Sequence, residues 1–294
     1  MIIKIAPPIC INELGKRANQ EDSVFPALGN ASDKDKVFIL CDGMGGHENG
    51  EVASNMVCNC MSSYIREHWD GAFFSDQVFL ESLDETMKQI NQLGKDSIRK
   101  PGTTMTFLCL HRGGATVAHI GDSRIYHIRP SEQRILYKSR DHSLVYDLFL
   151  AGELKYEEMK TYSKKNVLTK AIIPNNDNNP KADIVHITNI FPNDFFLLCS
   201  DGILESMSDD ILVKIFSSAQ SAEDIHRSFI QATKNNADNH SAYIIRILDV
   251  VRENEDEKLI DNENTSHSNA ILLENDCKSS KPSLLWRFIR RIIK

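Results

Sequence analysis

The stretch Val37-Phe-Ile-Leu-Cys-Asp-Gly-Met44 runs through five apolar residues and then stops at an Asp-Gly pair. A short, wholly apolar run closed by turn formers is the pattern of a strand buried on both faces. The arrangement recurs in Ala115-Thr-Val-Ala-His-Ile-Gly121 ahead of Asp122-Ser123, and in Phe195-Phe-Leu-Leu-Cys-Ser200 ahead of Asp201-Gly202. A fourth run reverses the order, with Asp238-Asn239 preceding Ala242-Tyr-Ile-Ile-Arg-Ile-Leu248. In an antiparallel sheet the start of one strand lies beside the end of its neighbour, so the four aspartates are expected at one edge. Between these runs, Val52, Ala53, Met56, Val57, Cys60, Met61 and Tyr64 recur at helical spacing, as do Phe79, Leu83, Met87 and Ile90. The coarse reading is layered helices and sheets of α+β class, without a solenoid repeat.

The 294 residues carry 34 Lys and Arg against 41 Asp and Glu, a formal charge of -7. That balance argues against a general nucleic-acid binder and makes cations the natural electrostatic partners. The opening Met1-Ile-Ile-Lys-Ile-Ala-Pro-Pro8 is too short and too broken by proline for a signal peptide, and no apolar run spans a bilayer. A cytoplasmic protein is expected. Seven cysteines, an odd count without an export signal, favour reduced thiols. From about residue 251 to 280 the composition turns acidic and polar, the mark of a flexible linker. In residues 281–294 Leu284, Leu285, Phe288, Ile289 and Ile292 share a helical face, while Arg287, Arg290, Arg291 and Lys294 lie largely elsewhere. Such a basic amphipathic helix either docks on its own domain or attaches to an anionic membrane surface or a partner groove.

Asp42, Asp122, Asp201 and Asp238, joined by Glu21 and Asp22, cannot all stay ionised in one cleft unless a cation intervenes. An all-carboxylate, water-rich donor set suits hard octahedral ions, hence Mg²⁺ or Mn²⁺ rather than zinc or copper. Gly43 and Gly202 allow close backbone approach, and the Gly43 carbonyl is itself a candidate ligand. A single Asp-Gly after a strand is explained by a turn alone. Its recurrence is what points to a site.

The ordered set Arg17-Ala-Asn-Gln-Glu-Asp22, Asp42-Gly-Met-Gly-Gly-His47, Gly102-Thr-Thr104, Gly121-Asp-Ser-Arg124, Asp141-His-Ser143, Asn166-Val-Leu-Thr-Lys-Ala171, Ser200-Asp-Gly202 and Asp238-Asn239 resembles the bacterial branch of the metal-dependent PP2C (PPM) family of serine/threonine protein phosphatases. The resemblance implies a phosphatase domain over residues 1–250, folded as a four-layer α/β/β/α sandwich of two mostly antiparallel sheets, with a flap subdomain at about 142–180. It implies that Asp42 bridges two metals, that Asp201 and Asp238 hold the first, and that the Gly43 carbonyl holds the second. Asp22 and Glu21 would act at the second metal, mostly through water, and Asp122 with Asp201 would hold a third, weaker one. Arg17 takes the phosphate-binding position, for which a guanidinium's parallel donors are suited. The implied partners are phosphoserine and phosphothreonine proteins and a kinase of the same pathway.

The implied mechanism agrees with the chemistry. Phosphate-monoester hydrolysis is among the slowest uncatalysed reactions, and enzymes accelerate it by up to about 10²¹-fold. Two ions about 4 Å apart can lower the pKa of a bridging water and neutralise charge on phosphorus, without a phospho-enzyme. Eukaryotic relatives have a histidine directly after the Asp-Gly pair, where this chain has Met44, so a water is expected as proton donor rather than His47. Asn236 and Ser241 stand where the family usually has glycine and threonine. Tyr162-Ser163 replaces a frequent His-Pro, and the Asn175-Asn-Asp-Asn-Asn179 run is unusual.

Two other readings compete. Cys60-Met-Ser-Ser-Tyr-Ile-Arg66 has the Cys-x5-Arg spacing of cysteine-dependent phosphatases, but it lies within a helical pattern and contains no glycine, so the match is taken as coincidence. Cys58 and Cys60 lack a second pair for zinc. A catalytically dead phosphoprotein-binding relative is the alternative from another class; the metal-ligand positions are all filled. Ser123 and Arg124 are expected to orient the turn holding Asp122. His119 is read as a structural histidine and Cys10 as a core or surface thiol, while His142 has no derivable role.

Overall fold

A computed structural model describes residues 1–45, 49–93, 100–174 and 179–252. The chain opens with strands β1 (Ile2–Ile5), β2 (Ile9–Glu13), β3 (Asp22–Phe25) and β4 (Val37–Met44), followed by helices α1 (Asn49–His68) and α2 (Asp76–Leu93). Then come β5 (Gly102–Thr103), β6 (Met105–His111), β7 (Gly114–Ile120), β8 (Arg124–Arg129) and β9 (Arg134–Lys138). A small helical segment built on α3 (Leu144–Leu150) leads to β10 (Asp183–Ile187), β11 (Phe195–Cys199), α4 (Asp201–Leu204), α5 (Asp209–Ser218), α6 (Ala222–Thr233) and β12 (His240–Val251). One sheet runs β10-β7-β6-β4-β3, with β5 on β4; the other runs β1-β12-β11-β8-β9, with β2 also on β12. All of these pairings are antiparallel.

The two-residue alternation of a strand explains why the apolar runs are unbroken. Phe38 and Leu40 of β4 join Leu108, Val117, Phe196, Leu198, Tyr243 and Ile245 in the layer between the sheets. Their neighbours Ile39 and Cys41 point the other way, under Val57, Met61, Phe79 and Leu83 of α1 and α2. On the far side Phe195, Leu197 and Ile244 lie under Leu212, Phe216, Ile225 and Phe229 of α5 and α6. The result is the expected four layers, helices on both outer faces. Ser208 and Ser221 start α5 and α6 by accepting the N–H of Ile211 and Asp224, each cap being worth about 1 kcal/mol.

The α1 stripe is rotated from the one expected. Val52 is exposed and Cys60 half-buried, whereas Ser54, Cys58 and Ser62 take buried positions. Small serines fit there because their hydroxyls find carbonyls: Ser54 donates to Glu21 O at 2.6 Å and Ser62 to Asn59 O at 3.2 Å. The composition change expected from about residue 251 coincides with the end of β12, whose last residue, Val251, pairs with Ile2. The rest of the linker and the 281–294 segment lie outside the described residues, as does His47. Among the described residues no helix is long and apolar enough to cross a membrane.

One buried ion cluster pins the edge of the second sheet. Asp194 accepts from Arg129 Nε at 2.8 Å, His127 Nε2 at 2.9 Å and the Phe191 N–H at 2.9 Å. Despite burial, these donors hold its carboxyl down at about 2.

Two predictions follow from this packing. Phe196→Ala should cost about 3–5 kcal/mol in denaturant unfolding, while Cys60→Ser stays within about 1 kcal/mol. The Asp194 carboxyl is lower in the folded than in the unfolded chain, so its stabilisation is full above about pH 4 and lost as pH falls towards 2. The stability gap between wild type and Asp194→Asn, followed by acid titration, should therefore close over that window; a gap independent of pH would show that the carboxylate charge is not what stabilises.

Candidate metal centre

Asp42 lies near the end of β4, where pairing shifts from β6 to β5. Its peptide is clamped on both sides: its N–H donates to Thr104 Oγ1 at 3.0 Å, and its carbonyl accepts from the Thr104 N–H and the Thr103 hydroxyl, each at 2.9 Å. Gly43 follows under compulsion, because a Cβ there would come within 2.4 Å of the Gly50 carbonyl oxygen at the start of α1. The clamp leaves the Asp42 side chain facing an open cleft of about 1680 Å³, lined also by Arg17, Glu21, Gly43, Asp122, Asp201 and Asp238.

Asp201 is the first residue of α4, one residue beyond the end of β11, and Asp238 stands just before β12. The register Cys199↔Ala242 brings those two ends together. Contact is close enough that a Cβ on Gly202 would overlap the Asn239 carbonyl. The Asp238 loop is further fixed by Asn236 Nδ2, which donates to Gly202 O at 2.6 Å, and by Glu205, which accepts the Ala237 N–H at 2.8 Å. Asn239 ties down the segment that carries Arg17 and Glu21: it donates to Leu14 O and Asn19 O at 2.8 and 3.0 Å and accepts the Glu21 N–H at 2.9 Å. Arg17, half-exposed on the rim, donates to Asp238 Oδ2 at 2.7 Å.

Asp122 sits on the turn between β7 and β8. Ser123 shares a 2.7 Å hydroxyl contact with Thr104, and Arg124 grips Asp141 with two bonds of 2.6 and 2.7 Å. Both residues orient the turn, as expected. The gathering of aspartates differs from the expectation in one respect. Asp42 comes from one sheet, Asp201 and Asp238 from the other, and Asp122 from the β7–β8 turn that crosses between them, so the site spans the common end of two stacked sheets rather than the edge of one.

Asp22 does not line the cleft. It pairs with Asp42 across β3 and β4 and is buried, with Oδ2 accepting from Ser200 at 2.8 Å and Oδ1 left without a partner. Ser200 in turn accepts the Ser241 N–H at 2.9 Å. Burial and then neighbouring carboxylates raise the acids of this cluster: Asp42 goes well up, Asp22 to about 7, Asp122 to about 8 and Asp201 to about 6. A cluster of this kind is stable in its ionised form only with compensating positive charge. The oxygen-only donors and the unpartnered Asp22 Oδ1 fit hard divalent cations such as Mg²⁺ or Mn²⁺.

The opposite wall comes from the segment after α3, with Asn166, Leu168, Lys170, Ile173 and Lys181. Met44 also faces the cleft, and among the described residues no histidine does. The Cys-x5-Arg match is a coincidence in space as well: Cys60 is half-buried along α1, Arg66 is exposed, and neither lines the cleft. His119 is buried, with Nε2 on the Arg140 carbonyl at 2.6 Å and Nδ1 unpartnered. Cys10 is half-buried in β2, its thiol raised to about 11 by burial. Thr104, Asn236, Asn239 and Ser200 hold the site although their roles were not read from the sequence; all four lie within or next to its recognisable motifs.

The profile of the protein phosphatase 2C family matches residues 14–249. The protein phosphatase PhpP of Streptococcus pneumoniae is 35% identical over 195 residues, 66% of this chain and 76% of that protein. The serine/threonine phosphatase stp of Listeria innocua is 29% identical over 214 residues, 70% and 80% of the two chains. Among solved structures, the catalytic domain of the serine/threonine protein phosphatase PstP in complex with two manganese ions superimposes with a TM-score of 0.67 at 25% identity, covering 84% of this chain and all of that one. With its two sheets, flanking helices and acidic cleft, the chain belongs to the protein phosphatase 2C family of phosphoprotein phosphatases.

Proposed function

We propose that this cleft hydrolyses phosphoserine and phosphothreonine esters on proteins by attack of water, with no phospho-enzyme, using two Mn²⁺ or Mg²⁺ ions and a third, weaker one. The observation that carries the reading is the convergence of Asp42, Asp122, Asp201 and Asp238 at the joint end of two sheets, with Arg17 on the rim. Asp42, clamped through its peptide, would bridge the core pair, with Asp201 and Asp238 on one ion and the Gly43 carbonyl on the other. Glu21 would act at the second ion through water. Asp22, set behind Asp42, would hold water or orient ligands rather than face substrate. Asp122, beside Asp201, would hold the third ion.

When bound, such ions polarise phosphoryl oxygens and lower the pKa of a bound water. Arg17 grips the phosphoryl group: one of its nitrogens donates to Asp238, and a guanidinium has five N–H donors, so others remain for phosphate. The leaving seryl or threonyl oxygen takes its proton from water, in keeping with a cleft where Met44 replaces the histidine of eukaryotic relatives. A serine/threonine kinase of the same pathway is the natural counterpart, since it makes the ester that this chemistry consumes.

The deciding experiment is phosphate release from a phosphothreonine peptide by chelator-stripped protein, with and without added Mn²⁺ or Mg²⁺. Metal-dependent release is expected, and Asp42→Asn or Asp201→Asn should lower it by at least about 10³-fold with an unchanged circular-dichroism spectrum. Full activity in both variants would sink the metal mechanism, and a folded wild type that releases nothing would favour a phosphoprotein-binding relative without turnover. Arg17→Ala should raise the KM for the peptide about 10–100-fold, the scale of a lost charge-assisted contact; an unchanged KM would remove Arg17 from phosphate binding.

A further inference from the structure

His142 stands between two parts of the cleft, and its two ring nitrogens serve different ones. The Gly121 N–H donates to His142 Nδ1 at 3.1 Å, and the backbone N–H of His142 donates back to the Gly121 carbonyl at 2.9 Å. Gly121 is the residue directly before Asp122. An accepting Nδ1 places the proton of a neutral imidazole on Nε2, which lies 3.1 Å from both Asp183 Oδ2 and Lys170 Nζ; an ammonium has no acceptor, so the Nε2–H donates to Asp183. The other Asp183 oxygen accepts from Lys170 Nζ at 2.8 Å, and Lys170 lines the far wall of the cleft. The backbone repeats the connection, with the Thr169 N–H donating to the His142 carbonyl at 2.9 Å.

His119, His142 and Asp183 present ligand-type atoms within 4.8 Å of one another, the composition of a transition-metal site. Their geometry argues otherwise. The two rings are stacked at 4.5 Å with 5° between their planes, so their in-plane lone pairs run side by side instead of converging on an ion. Nδ1 of His142 is also occupied, and the Lys170 ammonium already sits on Asp183. The cluster is built as a brace.

We propose that His142 is a positioning residue with two separable arms: Nδ1 holds the turn that carries Asp122, and Nε2, through Asp183, holds the Lys170 wall. The proposal rests on reading Asp122 as a metal ligand and the cleft as a phosphopeptide site. Substitution can cut the arms one at a time. The Oδ1 of an asparagine takes the place of Nδ1 alone, and the terminal amide of a glutamine reaches the place of Nε2 alone.

The test uses the full chain as wild type, His142→Asn, His142→Gln and Asp183→Ala, all checked by thermal melting. Three quantities are read: exchange of the Gly121 amide by NMR, Mn²⁺ binding by calorimetry, and kcat and KM on a phosphothreonine peptide. His142→Asn should keep Gly121 exchange and Mn²⁺ affinity within about twofold of wild type, and should raise the peptide KM about tenfold, as should Asp183→Ala. His142→Gln should keep KM within about threefold, speed Gly121 exchange, and weaken the weakest Mn²⁺ site about tenfold. Equal effects of the Asn and Gln variants on all three readouts would reduce His142 to general structure and overturn the proposal. A wild type without metal-dependent turnover would instead overturn the phosphatase reading, while the contrast in Gly121 exchange would still decide for or against the brace.

Discussion

Repulsion among the carboxylates of the cleft is the constraint around which the remaining structure is arranged. Two like charges at about 4 Å repel by about 4 kcal/mol at an effective dielectric of about 20. A few such pairs rival the entire stability of a domain, about 5–15 kcal/mol. The carboxylates are therefore attached where the backbone is least free to yield: at the ends of buried strands of two sheets that share one apolar layer. Phe38, Leu40, Phe196, Leu198 and Tyr243 hold the sheets together, and the sheets hold the acids together. A cation in the cleft would offset this repulsion, and a scaffold this rigid suits that role.

Rigidity is delivered locally by neutral groups. Thr103 and Thr104 clamp the Asp42 peptide, Asn236 fixes the Asp238 loop, and Asn239 fixes the segment carrying Arg17 and Glu21. Hydroxyls and amides can meet carbonyls and N–H groups without adding charge to a site already crowded with it. Asn236 shows how a departure from the family pattern is accommodated. Its side chain, absent from the glycine usual there, reaches across to the Gly202 carbonyl and links the two loops that carry Asp201 and Asp238. At Ser241 the backbone N–H bonds to Ser200, so the strand position holds although the residue differs from the usual threonine.

The fold was legible to the extent that burial leaves a simple mark. Strands β4 and β11 are apolar on both faces, β7 and β12 are largely so despite His119 and Arg246, and each was readable as a run ended or begun by aspartate. The position of α2 followed from Phe79, Leu83, Met87 and Ile90, all buried. The α1 face was misjudged because Ser54 and Ser62 are buried with satisfied hydroxyls, and hydrophobicity alone does not register a satisfied serine. The lining of the cleft by Asp42, Asp122, Asp201 and Asp238 was readable from the strand ends. That they come from two sheets was not, because pairing partners are set by contacts remote in sequence. Asp22 looked like another cleft residue, and its burial and its bond from Ser200 show that it lies behind the wall. His142 stood in a recognisable motif without a derivable role, since its meaning lies in which groups its two nitrogens face.

The same comparison separates carboxylates that stabilise from carboxylates that act, although sequence writes them with the same letter. Asp194 has Arg129 and His127 beside it, Asp183 has Lys170 and His142, and both are held at about 2. Asp122 and Asp201 rise to about 8 and 6, and Asp42 rises well above the ordinary carboxylate range. Among the described residues Arg17 is the one side-chain cation bonded to the cluster, and it is half-exposed on the rim. A chain with 34 lysines and arginines has no shortage of partners to place there. Among the described residues no side-chain cation is bonded to Asp42, Asp122 or Asp201, which leaves their charge available to ions from solution and sets the cleft apart from the structural ion pairs around Asp194.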